Sequence, residues 1–302
     1  EKMPIWGIDL GGTKVEGVIL EGPENPEVLL RKRIFTESKD GYQHIIGRIK
    51  FLIDQMSQEV GYRPEKIGIA TPGVLDPRGG LMKNSNTTIL NGQPFKKDLE
   101  LGLGIPVAMA NDANCFALAE YKMGAISKHM PEARVVFGVI MGTGVGGGIV
   151  VNGQAIYGRQ GIGGEWGHNF LDISGGACYC GKVGCVEQVL SGKNLERYHQ
   201  EKFKERKLLK NIYQDHLGGN SPNDTHTINR LITQFGKAMA VIINILDPDA
   251  IVIGGGVGNI DLLYTAGIKE VKKHVFNKEL ETVFLKPLLG DSAGVFGAAY
   301  LI

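Results

Sequence analysis

The chain is 302 residues long, with 43% apolar and 22% charged residues and a formal net charge of +1 at pH 7; this is an ordinary globular composition, and it gives no electrostatic reason for nucleic acid or an anionic membrane as partner. No apolar run approaches the ~20 residues that span a bilayer, and the opening EKMPIWGID lacks the charged-then-apolar layout of a secretory signal, so a cytoplasmic location is expected. This length exceeds one core of ordinary size, so two lobes are predicted, and the 44 glycines, about twice the usual share, cluster after apolar segments where backbone must come close to a ligand.

Ile5 to Leu10 reads as a strand, Gly11-Gly12-Thr13-Lys14 as a turn and Val15 to Leu20 as the returning strand. The turn is no Walker A loop, since β-type residues rather than a helix follow the glycines. Its backbone N–H groups, with the Thr13 hydroxyl and the Lys14 ammonium, suit phosphate oxygens, and Asp9 is placed to hold a hydrated Mg2+ beside them; read alone, the same turn is also an ordinary hairpin. Tyr42 to Val60 has helical periodicity, Lys66 to Thr71 is a short strand, and an amide-rich loop follows. In that loop Asn84, Asn86 and Asn91 can each donate and accept, as sugar hydroxyls require, or serve as turn residues. Val107 to Ala110 ends a strand, and Asn111-Asp112-Ala113-Asn114 opens a helix that runs through Lys122. Asp112 there reads either as a helix cap or as a reactive carboxylate kept ionised by the helix dipole.

Phe137 to Val151, FGVIMGTGVGGGIVV, repeats the opening pattern of strand, glycine turn and strand, so the chain is internally duplicated; Asp9 corresponds to Ile140 in this register. Gly142, Thr143 and Gly144 form the second candidate phosphate turn. Three of the four cysteines, Cys178, Cys180 and Cys185, follow in a C-x-C-x4-C arrangement with His168 ten residues upstream. Three thiolates and an imidazole suit tetrahedral zinc, and four protein ligands make the ion structural, holding a loop that presents Glu165 and Glu187 to something else. Lys202 to Thr227 reads as a short helix and a surface loop, with His199, His216 and His226 solvated, and Ile228 to Leu246 as a long buried helix stopped by Asp247-Pro248. AIVIGGGVGN, from Ala250 to Asn259, offers flat backbone at Gly254, Gly255 and Gly256 for a base or ribose. The end, GDSAGVFGAAYLI, reads as a loop and a small-residue helix.

DLGGTK, ANDANCFALAE, MGTGVGGG, GEWGHN, CYCGKVGCVE and DPDAIVIGGG, in this order, resemble the ROK family of sugar kinases and related repressors over nearly the whole chain. The resemblance implies the actin-like, duplicated α/β fold of hexokinases, with residues 1–112 and 291–302 in a small lobe and 113–290 in a larger lobe carrying the zinc loop. It also implies ATP with Mg2+, a hexose bound between the lobes, a homodimer, and the C-terminal helix packed on the first lobe. The family's repressors carry an N-terminal helix-turn-helix; here the first hairpin begins by about residue 5, so a kinase is expected. By resemblance Asp112 is the general base, and Asn86, Asn111, Glu165, His168 and Glu187 join it on the sugar, His168 with one ring nitrogen on zinc and the other on a hydroxyl. The KNSNTTILNGQPFKKDL loop looks closest to the fructokinase or mannokinase branch, with glucokinase and N-acetylglucosamine kinase as alternatives; a non-catalytic sugar sensor is the reading from a different class.

Overall fold

The computed structural model describes residues 3–302. It opens with β1 (Ile5–Leu10), β2 (Lys14–Leu20) and β3 (Val28–Phe35), paired antiparallel in sequence order. Apolar residues on both faces bury β1 and β2 almost throughout, as inner strands require, whereas β3 alternates half-buried and exposed positions and forms an edge. Helix α1 (Tyr42–Val60) follows with the bounds its periodicity predicts, burying Ile45, Ile46, Ile49, Leu52, Ile53 and Met56. Next come β4 (Ile67–Thr71), the small hairpin β5 (Val74–Leu75) and β6 (Met82–Lys83), α2 (Phe95–Leu103), β7 (Val107–Asn111), α3 (Asp112–Met123) and α4 (Ala125–His129). β4 and β7 add in parallel to give the sheet order β3-β2-β1-β4-β7.

The second sheet repeats this plan with β8 (Val135–Met141), β9 (Val145–Val151) and β10 (Gln154–Ala155). Then follow α5 (Val186–Leu190), α6 (Gly192–Phe203), α7 (Leu209–Gly218), α8 (Pro222–Leu246), β11 (Ala250–Gly254), α9 (Ala266–His274), β12 (Val283–Leu285) and α10 (Ala293–Ala299). Its order is β10-β9-β8-β11-β12, with β11 parallel to both β8 and β12. Both hairpins and the duplication match the sequence reading.

Two compact units result. The first holds the chain up to Pro131 with Gly148–Gly164 and Leu288–Ile302; the second holds Glu132–Gly147 and Glu165–Pro287. The boundary expected at Asp112 falls later because α3 stays with the first unit, packed on α10 so closely that a Cβ on Gly297 would lie 1.9 Å from the Cys115 carbonyl oxygen. The first unit's main core lies where α1 and α2 cover the sheet around Trp6, Ile8 and Phe95.

The stretch from Lys202 to Thr227 is not the surface loop expected. It contains the end of α6, all of α7 and the first turns of α8, which starts at Pro222 behind the N-cap Ser221 rather than at Ile228. Of the histidines expected to be solvated, His199 is instead fully buried and bonded to Thr227 and His216 is half-buried and bonded to Thr225, whereas His226 is exposed as expected, stacked on Tyr198. Among the described residues no helix is long and apolar enough to cross a membrane.

Candidate active site

In the first unit the β1–β2 register sets Asp9 directly opposite Glu16, two carboxylates on one face. Glu16 is buried and held from β3 by two guanidinium groups: Arg31 Nε donates to one carboxylate oxygen and Arg33 Nη2 to the other at 3.1 Å. Among the described residues no guanidinium bonds to Asp9 in this way. Burial, and then the Glu16 charge, push its carboxyl up to about 6, against a smaller opposing pull from Arg33. The Gly11–Lys14 turn is braced from behind: Thr36 Oγ1 donates to the Gly11 carbonyl at 2.7 Å, Thr36 N–H to the Thr13 carbonyl at 2.8 Å and Ser38 Oγ to the Gly12 carbonyl at 3.0 Å. Gly12, Thr13 and Lys14 are left exposed.

The helix cap is Asn111, not Asp112. Its side chain accepts from the Asn114 N–H at 2.9 Å, and Asp112 is the first helical residue. Asp112 keeps surface open to water, yet protein packs around its carboxyl on the remaining sides. Burial and then the Asp9 charge raise its pKa well above the ordinary value, so the helix dipole expected to keep it ionised is outweighed. In the amide-rich loop, Asn91 is structural: its Oδ1 accepts from Ser85 N–H at 2.8 Å and its Nδ2 donates to the Ser85 carbonyl at 3.1 Å. Asn84 sits in the left-handed region at φ 57° and Asn86 is exposed.

In the second unit, Gly142 N–H donates to the Gly144 carbonyl at 2.9 Å, closing the β8–β9 turn, and Gly192 N–H, at the start of α6, donates to the Gly142 carbonyl at 2.7 Å. Ser191 caps α6, its Oγ accepting from Asn194 N–H. Glu187 Oε2 accepts from Val145 N–H at 2.9 Å, so one oxygen of this candidate sugar ligand is used to fix the glycine turn. Val145 also anchors the segment carrying Glu165 and His168: a Cβ on Gly167 would lie 2.3 Å from its carbonyl oxygen. Beside the turn lies a cavity of about 1000 Å³, lined by Gly142, Thr143, Gly192, Lys193, Glu196, Tyr213 and Gly256 among others. That volume and the glycine backbone at one end fit a nucleotide. Of the β11 glycines only Gly256 faces the cavity; Gly255, at φ 85°, turns the chain where a Cβ would sit 2.3 Å from the Met141 carbonyl oxygen. Lys193, Glu196 and Tyr213 were not foreseen from sequence, although Ser191-Gly192 carries the signature of a helix start.

His168, Cys178, Cys180 and Cys185 come together as the spacing predicts, one ligand atom of each within 4.8 Å of all the others. Cys178 Sγ lies 3.7 Å from His168 Nδ1 and Cys180 Sγ 3.5 Å from Cys185 Sγ. Tetrahedral zinc–thiolate geometry separates sulfur atoms by about 3.7 Å, so the donor set fits zinc. His168 Nε2 is met by the Tyr179 hydroxyl at 3.1 Å, a partner that spacing did not suggest.

A family model described as "ROK family" matches residues 5–302. The N-acetyl-D-glucosamine kinases of Aliivibrio fischeri and Vibrio cholerae are 33% and 34% identical to this chain, each over 98% of both proteins. Among solved structures, a ROK hexokinase from Thermus thermophilus superposes with a TM-score of 0.88 at 30% identity, covering 99% of this chain and 97% of that one. A ROK family glucokinase from Streptomyces griseus, in complex with glucose and AMPPNP, gives 0.76 at 26% identity, covering 99% of each. The fold is therefore the actin-like α/β fold of hexokinases. A duplicated hairpin-and-sheet plan, a family model spanning residues 5–302 and full-length similarity to its members lead to one assignment: the chain belongs to the ROK family.

Proposed function

We propose that this ROK-family sugar kinase transfers the γ-phosphoryl group of ATP to the 6-hydroxyl of N-acetylglucosamine, with plain hexoses as weaker acceptors. The observation that carries the acceptor is the 33% identity, over 98% of both chains, to the N-acetyl-D-glucosamine kinase of Aliivibrio fischeri. It supports the alternative acceptor over the fructose or mannose that the Asn84–Asp98 loop suggested. That loop is a weak specificity signal, because Asn91 spends both its amide atoms on Ser85.

The chemistry asks for positioning and charge neutralisation around a loose transition state. Asp112 is the base: it takes the proton from the 6-hydroxyl as that oxygen bonds to phosphorus and the bond to the β-phosphate breaks. A carboxyl of raised pKa is the better proton acceptor once ionised, and Asn111 holds the helix start that aims it. Asn86, Asn111, Glu165, His168 and Glu187 orient the sugar. The second unit's cavity takes the nucleotide, with Gly142, Thr143 and Gly256 lining it, Gly144 closing the turn and Gly254 and Gly255 shaping the wall behind; the Gly11–Lys14 turn is proposed as a phosphate-binding turn in its own right. Asp9 would hold hydrated Mg2+, which neutralises phosphate charge; its unclamped carboxylate, beside those of Glu16 and Asp112, fits a divalent cation. Zinc on the Cys3His cluster would be structural. A homodimer is the assembly we propose, open to sedimentation measurement.

The deciding experiment is ADP release from Mg-ATP with N-acetylglucosamine, glucose, mannose and fructose, each against a sugar-free blank. N-acetylglucosamine is expected to give the highest kcat/KM. Fructose or mannose in first place would restore the loop reading, and no sugar-dependent release from zinc-replete protein would point to a sensor.

A further inference from the structure

Beyond the Gly192–Glu196 stretch of α6 that lines the second unit's cavity, three side chains from three separate segments converge. His199 comes from α6, Glu205 from the 204–208 connection and Asp224 from the first turn of α8. We propose that they form a second divalent-cation site, separate from the cysteine cluster, that fastens the α6–α7 connection to α8.

The geometry is that of a ligand set. His199 Nε2 lies 3.3 Å from Glu205 Oε2 and 3.5 Å from Asp224 Oδ1, and the three atoms fall within 4.8 Å of one another. Nitrogen and oxygen ligands at 2.0–2.1 Å from a tetrahedral ion stand about 3.3–3.4 Å apart. Each residue directs one polar atom to the shared point while its other is held elsewhere. His199 Nδ1 is 2.7 Å from Thr227 Oγ1, Glu205 Oε1 accepts from Asn223 Nδ2 at 3.0 Å, and Asp224 Oδ2 accepts from Lys207 Nζ at 2.6 Å. Such outer partners are what orient metal ligands. Asp224 Oδ1 is buried and has no hydrogen-bond partner among the described residues, on a side chain with no exposure. Charge points the same way: the Lys207 ammonium is shared between Asp224 and Asp215, and among the described residues the ion pair of Glu205 is with His199. Glu205, 47% exposed, leaves a path for entry and room for water as fourth ligand. The competing occupant of the shared point is a proton, with an imidazolium bridging the two carboxylates.

The test is a calorimetric titration of the full-length protein with zinc after passage over a chelating resin, with zinc per chain counted by mass spectrometry. Wild type, Glu205→Gln and His199→Asn are compared. Loss of one ligand should leave each variant one zinc short of wild type at micromolar free metal, with affinity for that ion reduced at least ~10-fold and the cysteine-bound metal retained. Glu205→Gln changes a surface side chain, so it decides the question even if His199→Asn folds poorly. Equal zinc content and equal affinity in wild type and Glu205→Gln would overturn the site and leave the imidazolium in its place.

Discussion

Replacing Asp9 by Asn should make the first unit more stable at pH 8 while it disables phosphoryl transfer. Burial and the facing Glu16 carboxylate raise Asp9 from 3.8 to about 6, so the folded state resists its ionisation. A raised carboxyl pKa carries no stability cost below the unfolded value near 3.8; the cost grows through pH 4–6 and is complete above it. At 1.36 kcal/mol for each tenfold change, the full effect is about 3 kcal/mol, and contact with water on one side of this half-buried group screens it to about 1–2 kcal/mol. The two tryptophans fall in different units, so a Trp166→Phe background leaves Trp6, buried in the first unit's core, as its reporter. Urea unfolding followed by Trp6 emission, without nucleotide or Mg2+, should show Asp9→Asn more stable at pH 8 and equal to the parent at pH 4. A variant no more stable at pH 8, or a gain that persists at pH 4, would refute the reasoning.

Asp112→Ala should lower kcat by about 10^2–10^4-fold with the sugar KM little changed, and the wild-type acid limb should lie above the pH expected of an ordinary carboxylate because burial and Asp9 raise this one; undiminished turnover would remove its role as base. Cys180→Ser should lose the cluster's zinc and activity together, and a zinc-free protein of full activity would contradict the structural part given to that ion. Gly255→Ala puts a Cβ 2.3 Å from the Met141 carbonyl at φ 85°, an overpacking that costs about 1–3 kcal/mol. It should weaken AMPPNP binding measured by calorimetry while the first unit's Trp6-reported transition stays in place.

What was legible in the sequence was local. The bounds of α1 follow from six apolar residues at helical spacing, and both glycine hairpins from alternating apolar runs around a turn. The cysteine cluster was legible because its ligands are compressed into a short loop. The His199 cluster was not, because its residues belong to three elements and meet only when α6, the 204–208 connection and α8 pack together. The cavity wall formed by Lys193, Glu196 and Tyr213 escaped for the same reason: no periodicity links α6 to α7 across their connection. Asp112 was misread electrostatically because a helix start is visible in sequence, whereas the opposing carboxylate of Asp9 arrives through parallel pairing of β1 with β4 and of β4 with β7.

The last helix bears on the Asp9 side of that environment. α10 carries no charged side chain, and it lies against β1, β4 and α3. Its approach is as close as backbone allows: a Cβ on Gly68 of β4 would stand 1.8 Å from the Ala298 carbonyl oxygen, and one on Gly297 of α10 would stand 1.9 Å from that of Cys115 in α3. On the same side, the Cβ position of Gly294 falls 2.6 Å from Asp9 Oδ2, so α10 backbone covers that carboxylate where water would otherwise solvate it. Desolvation is the largest cause of the raised pKa of both Asp9 and Asp112. The last helix thus supplies low-dielectric packing to the Asp9 carboxylate, and through the Asp9 charge it acts on Asp112. Small residues recur in AGVFGAA because a larger side chain facing the sheet or α3 would lift the helix away and rehydrate Asp9, whose charge helps raise the pKa of the proposed base Asp112.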